Sequence, residues 1–336
     1  VIRALKERLL PGGAHRTWNR LRNRFLRRVT ERRLAADLRR LGLGEGDLVC
    51  VHSSLNAVGY LVRGPDTVID ALCTVVGERG TVMMPTFSSA ENTHRYVTSG
   101  PPPFDPQRSV GATGTLPERF RHYPGALRSL HPTHSVAARG PLAEELVRGH
   151  EQSETPFGHE TPYARLERLG GKVLLLQTNG NSVLHMMEEK IAFPNLYREE
   201  RYALQVITPD GPRTVRTAVH SPGIFHKVVL PGIEEGELRL IHMPWYALQF
   251  LVPESEREEF ARLRPDVGAG LADRQAWFAR EGIVRFGPVG YAQAALFDVT
   301  RFCGRIADDL RAHFAAHGSL YEPARLEALG TAGRSH

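Results

Sequence analysis

Cysteine is scarce in this chain: three residues, Cys50, Cys73 and Cys303, among 336. Their spacing has no paired pattern and no Cys-x-x-Cys, which argues against a disulfide framework and a zinc finger or ribbon. Cys50 and Cys73 lie in apolar runs and read as buried thiols, so a reducing cytoplasm is the expected compartment. Lysine occurs only at positions 6, 172, 190 and 227, leaving arginine to carry the positive charge. No apolar run approaches the roughly 20 residues that cross a bilayer, and the first residues show no apolar core of a secretory signal. A membrane span is therefore not expected. Walker A and Gly-x-Gly-x-x-Gly patterns are absent, which leaves nucleotide binding by those loops without support. Neither a zinc nor an RNA-binding signature accompanies the basic N-terminus, so nucleic acid is not an expected partner.

What is present is ordinary globular composition, 41% hydrophobic and 24% charged, with a net charge of +6. The length exceeds one small core and suggests a large α/β domain with a smaller appended part. Residues 1–40 read as a basic helical arm, with Trp18, Leu21, Phe25, Leu26 and Val29 near one side of a pattern from Arg16 to Arg40. Such a stripe packs on its own domain or docks on an acidic surface. The main domain is expected over 41–305, a β-rich section within it at about 201–252, and a C-terminal helix and tail over 306–336. The fold class expected is α/β, a mixed central sheet with flanking helices plus that smaller β-rich section. A helix is expected from Glu254 to Arg264, a strand-turn-strand from Gly282 to Phe297, and disorder from Gly330 to His336. No internal repeat is present.

Several turns carry chemistry. The strand Leu48–His52 runs into Ser53-Ser54-Leu55, a small polar turn before a periodic helix beginning near Thr67. A turn of this kind presents N–H groups and hydroxyls to an anion such as a pyrophosphate. A second buried strand ends at Pro85-Thr86-Phe87-Ser88, and residues 89–110 read as a long loop of the kind that forms lids or substrate walls. Arg128-Ser-Leu-His-Pro-Thr-His-Ser135 gathers an arginine, two histidines and a serine. There Arg128 can pair with a phosphate. His131 and His134 can bind a metal with further ligands or bond the backbone as structural histidines.

The chain is organised around Thr178 to Lys190. This stretch follows an apolar strand, Lys172–Gln177, and a polar Asn-Gly-Asn turn. Ser182 is placed to cap a short helix, and His185 and Glu188 share one face of it at i,i+3. A carboxylate beside an imidazole raises its basicity and fixes its tautomer, as a general base requires. Glu118 is the other carboxylate considered as a partner of His185.

Together these stretches resemble the antibiotic N-acetyltransferase family, whose named members are aminoglycoside 3-N-acetyltransferases. Val51-His-Ser-Ser-Leu55, Gly80 to Ser88, Gly114-Thr-Leu-Pro-Glu118, Arg128 to Ser135, Gly171 to Leu176, His185-Met-Met-Glu188 and Gly287 to Ala292 carry the resemblance over about 41–305. It implies an acyltransferase with acetyl-coenzyme A as co-substrate and a small-molecule amine as acceptor. By position, His52, Ser53, Ser54 and Leu55 would hold the pyrophosphate and pantetheine arm. Thr86, Arg128, His131 and Ser135 would line the coenzyme site, and His185 would be the base with Glu188 as its partner. Ser182 stands where the family has Thr and would donate to the oxyanion. No metal is expected, because His131 and His134 have no further well-spaced ligands. The segment Gln177–Asn181 lacks the family's usual acid, and Arg63-Gly64 replaces its Gly-Gly. These departures suit a biosynthetic enzyme acting on an anionic or nucleotide-linked amine, or one fed by an acyl carrier protein docked on the basic arm. Two readings from other classes stand beside it: a metal-dependent hydrolase using His131, His134, His185 and Glu188, and a non-catalytic binder acting through the arm.

Overall fold

The central strands of this chain are apolar on both faces, and two cores flank them. The computed structural model describes residues 27–89, 92–178, 181–192, 196–220, 227–229, 240–242 and 278–317. In chain order they form β1 (Arg28–Val29), α1 (Glu31–Leu41), β2 (Leu48–Ser53), α2 (Leu55–Val58), β3 (Tyr60–Leu61) and α3 (Asp66–Val76). Next come β4 (Thr81–Pro85), α4 (Thr93–Thr98), α5 (Thr115–Phe120), β5 (Leu127–Arg128), β6 (Val136–Arg139), α6 (Ala143–Val147) and a 3-10 turn, His150–Gln152. The remainder is α7 (Pro162–Arg168), β7 (Lys172–Leu176), α8 (Val183–Lys190), β8 (Tyr197–Thr208), β9 (Gly211–His220), β10 (Lys227–Val229), β11 (Leu240–His242), β12 (Val284–Val289), β13 (Ala292–Asp298) and α9 (Val299–His317).

Seven strands make the main sheet in the order β12-β13-β7-β2-β4-β6-β5. β2 is parallel to both β4 and β7, while β6 and β13 run antiparallel on either side. Alternation along each strand divides the core. Val49, Val51, Val82, Met84, Leu174 and Leu176 pack under α1, α3 and α5. Cys50, Met83, Val173 and Leu175 pack under α6, α7, α8 and α9. The expected mixed sheet with helices on both faces is what the chain forms. Chain direction matters for function. From β2 the chain crosses to β4 on one side, yet β7 lies on the other, so the gap between β2 and β7 is a switch point. Ligands of open α/β sheets bind outside the carboxyl ends of strands at such points.

Several elements depart from the sequence expectation. Residues 1–26 lie outside the described residues, but the arm's remainder is not a continuation of one helix. Val29 is in β1, paired parallel to β3, and α1 starts at Glu31 behind a Thr30 cap that accepts from Arg33 N. Leu34, Ala35, Leu38 and Leu41 recur at helical spacing and are buried in the core. The arm boundary at residue 40 therefore cuts through a core helix. That helix ends at Gly42, whose φ of 110° suits glycine and lets its N–H reach the Leu38 and Arg39 carbonyls. Likewise the boundary at 305 falls inside α9. The long loop of 89–110 contains α4, capped by Asn92.

The β-rich section is present in its described part. β8 and β9 form a separate antiparallel hairpin, and β10 pairs with β11. The hairpin docks through Phe104, which exchanges backbone bonds with Gln205 and Ile207 and shares a small core with Val206 and Val215. Glu254–Arg264 and Gly330–His336 lie outside the described residues. All three cysteines are free, and burial pushes the Cys50 and Cys303 thiols up. Among the described residues no helix is long and apolar enough to cross a membrane.

Candidate active site

Three parallel strands deliver the candidate residues to one end of the sheet. β2 ends at His52 and Ser53, which pair with Leu175 and Leu176 of β7, and Ser54 N donates to Leu176 O at 2.8 Å. The His52–Leu55 turn is thereby fastened against the strand that leads to His185. Ser54 makes no side-chain cap for α2, so the turn is not explained by capping. His52 is half-buried with Nε2 3.7 Å from Cys50 Sγ, and burial lowers its pKa to about 4.

Beyond β7 the backbone is forced. Gln177 has φ 51° and Ala192 has φ 54°, and among the described residues they are the only non-glycine positions with positive φ. They bracket α8. Non-glycine residues in the left-handed region carry a cost that persists where the surroundings fix them. Gln177 is held by a pair of bonds to Gln293, its N–H to the carbonyl and its Oε1 from the N–H. Asn179 and Gly180 lie outside the described residues. Asn181, rather than Ser182, meets the helix start, its Oδ1 accepting from Val183 N at 3.3 Å. Ser182 is buried, already helical in backbone, and makes no side-chain cap.

On α8, His185 Nδ1 is 2.9 Å from Glu188 Oε2. Glu188 is completely buried and its Oε1 has no hydrogen-bond partner among the described residues. An ionised carboxylate only accepts, so this bond calls for a hydrogen on Nδ1 and turns Nε2 away from Glu188. The His185 side chain is 25% exposed, enough for a reactant to reach it. Glu118 is no competitor, because its oxygens accept from Gly111 N and from the Arg121 guanidinium.

The remaining predicted residues are tied to one another and to the backbone by hydrogen bonds. Arg128 was expected to meet a phosphate. Instead its Nε donates to Thr86 Oγ1 and Ser135 Oγ, its Nη2 to Thr86 O at 2.7 Å, and its Nη1 to Ser109 O and Pro106 O. Its guanidinium also lies 4.8 Å from the Phe104 ring centroid. Burial and the nearby charge of Arg121 push its pKa down to about 10. Thr86 and Ser135 are buried within the same network, Ser135 Oγ donating to Thr86 O at 2.7 Å. These three residues join β4, β6 and the 105–109 loop. Arg128→Ala would leave the buried carbonyls of that network without donors and is expected to destabilise the fold by about 3–5 kcal/mol. The denaturant midpoint at unchanged slope measures this; a loss below about 1 kcal/mol would contradict the assignment.

His131 is likewise engaged by protein partners. Its buried Nδ1 accepts from Thr133 N and His134 N, and its Nε2 pairs with Thr217 Oγ1 of β9. His134 and His150 are buried too, and burial holds both near a pKa of about 3, so they are neutral. The hydrolase reading required His131 and His134 as ligands. Both His131 nitrogens are engaged, and among the described residues no group of three or more His, Cys, Asp or Glu is placed to hold a metal ion.

Sequence reasoning missed four residues around His185. Phe157 and His220 have ring centroids 5.1 and 4.5 Å from it. Tyr197 packs on His220 and donates from its hydroxyl to Glu189 at 2.6 Å. Glu189 also accepts from Thr155. A cavity of about 520 Å³ borders Phe157 and Glu189, its charged lining completed by Glu167, Arg168 and Lys190. Only helical spacing could have flagged Glu189; the others arrive through tertiary pairing.

Comparison with known proteins agrees with this architecture. The family model described as aminoglycoside 3-N-acetyltransferase matches residues 50–310. Aminoglycoside N(3)-acetyltransferase VII of Streptomyces paromomycinus is 37% identical over 284 residues, covering 80% of this chain and 87% of its own. Among solved structures, AAC-IIIb binary with CoASH superposes with a TM-score of 0.62 at 30% identity, covering 85% of this chain and 97% of its own. AAC-VIa bound to sisomicin gives a TM-score of 0.58 at 26% identity, covering 85% and 98%.

Proposed function

The chain belongs to the aminoglycoside 3-N-acetyltransferase family, a family of N-acyltransferases, and from that premise we propose that it transfers an acetyl group from acetyl-coenzyme A to an aminoglycoside amine with His185 as general base. The observation that carries the reading is the pair His185–Glu188, with Nδ1 bonded at 2.9 Å to a fully buried carboxylate and the ring part-exposed. Acetyl-coenzyme A supplies the acetyl group as a thioester. Support for that donor comes from the seat of the His52–Leu55 turn at the switch point between β2 and β7, and from the coenzyme in the AAC-IIIb structure. The Ser53 and Ser54 side chains border that turn and suit the polar arm of the donor.

His185 Nε2 takes the proton that the amine loses as its nitrogen bonds to the acetyl carbon, and returns it to the departing thiolate as the C–S bond breaks. Glu188 stabilises the imidazolium in between, since an opposite charge at hydrogen-bond distance in a buried setting favours the charged ring. Ser182 at the start of α8 is the assigned hydroxyl donor to the oxyanion. A polycationic acceptor is served by Glu189, which accepts from the Thr155 and Tyr197 hydroxyls beside the adjoining cavity, whereas Glu167 on that cavity is already paired with Lys190 at 2.9 Å. The Glu189 carboxylate answers the absence of acid in Gln177–Asn181.

Glu188→Gln is expected to lower kcat by about 10–100-fold, because the ring loses its fixed tautomer and its counter-charge. Steady-state kinetics checks it, and an unchanged kcat would remove Glu188 from the mechanism. The acceptor is tested by incubating the protein and acetyl-coenzyme A with sisomicin or gentamicin. A single mass increment of one acetyl group on the drug supports the proposal, and its absence with every aminoglycoside tried overturns that acceptor.

A further inference from the structure

We propose that His220 is a positioning residue for His185, so that the β8–β9 hairpin completes the reactive centre; this rests on the reading of His185 as the base. The bond between Nδ1 and Glu188 Oε2 fixes one point on the His185 ring. The orientation of its plane is set by ring contacts as well, and three rings in mutual contact make them. Phe157 and His220 are 5.4 Å apart, and His185 lies 5.1 and 4.5 Å from them, backed into their corner.

His220 is itself held. It is the last residue of β9 and pairs in register with Tyr197, the first residue of β8. The Tyr197 ring packs on the His220 ring at 4.7 Å, and the His134 ring approaches it at 6.0 Å. Tyr197 OH donates to Glu189, and Glu189 belongs to the helix that carries His185. The contacts therefore close a loop from α8 through His220 and Tyr197 back to α8. A shift of the hairpin would tilt the base, and misplacement by about 1 Å can cost about 100-fold in rate.

The test compares His220→Ala, His220→Gln and His220→Phe in the full chain, with acetyl-coenzyme A and sisomicin as substrates and His185→Ala as reference. His220→Ala and His220→Gln are expected to lower kcat by about 10–100-fold and leave the KM for acetyl-coenzyme A within about twofold. His220→Phe restores the ring and is expected to recover most of the rate. The direct readout is the His185 tautomer by 15N NMR of histidine-labelled protein. A single Nδ1–H form is expected in the wild type and the Phe variant, and a mixture in Ala and Gln. If Ala fails to fold, Gln and Phe decide. Wild-type kcat with a single tautomer in Gln, or a Phe variant as impaired as Gln, overturns the proposal. Retained turnover in His185→Ala would overturn the base assignment instead, whatever the His220 variants do.

Discussion

His185→Ala is expected to lower kcat and kcat/KM together by about 10²–10⁴-fold, the range a positioned general base contributes. The KM for acetyl-coenzyme A should move little, because the proposed donor turn lies on β2 rather than α8. The substitution also has a structural consequence. Glu188 is completely buried and His185 supplies its described hydrogen bond. With the ring gone, the buried carboxylate loses that partner, which costs stability. His185→Ala combined with Glu188→Gln should recover part of that loss without recovering turnover. Thermal melting beside steady-state kinetics separates the two effects. A single variant that keeps more than about a tenth of the wild-type kcat would not fit a base of this strength.

Acid should unfold this protein over an unusually high pH range. His134 and His150 are buried and held near a pKa of about 3 against an ordinary 6.5, and burial holds His131 well below 6.5 as well. Between those values the unfolded chain binds protons that the native rings refuse. Stability is thus complete above about pH 6.5 and falls as the pH drops toward 3. His134 and His150 each cost about 1.4 kcal/mol per pH unit across that window. Together they would remove several kcal/mol by about pH 5, a large part of a typical domain's stability, and His131 acts in the same direction. Urea midpoints at pH 7.5 and pH 5.5 measure it. A flat profile between them would mean that these histidines are hydrated or ionised in the native state.

What the sequence revealed was local. The apolar runs at Leu48–His52, Gly80–Pro85 and Lys172–Leu176 are strands because buried parallel strands need no polar face, and their ends could be read from the polar turns that follow. The His185–Glu188 pair was legible because i,i+3 spacing on a helix places both on one face whatever surrounds them. The choice between Glu118 and Glu188 was not legible; it depended on Arg121 and the Gly111 N–H claiming Glu118. Arg128 misled for a related reason. An arginine beside histidines and serine looks like a phosphate contact, but only the fold shows that five protein oxygens converge on its guanidinium. His220 and Tyr197 lie 35 and 12 residues beyond His185 in sequence and reach it through hairpin register, a non-local pairing that no spacing rule encodes. The segment from Arg16 read as one helix because a 3.6-residue pattern cannot reveal that Val29 pairs with a strand edge near Leu61.

The most direct test of the account is thiol release from acetyl-coenzyme A by the purified protein, followed with a panel of aminoglycosides, with simple and nucleotide-linked amines in parallel, and with His185→Ala as control. The account predicts aminoglycoside-dependent thiol release by the wild type that is lost in the variant. Release that persists in His185→Ala, or that depends on a nucleotide-linked amine while every aminoglycoside is ignored, would contradict it.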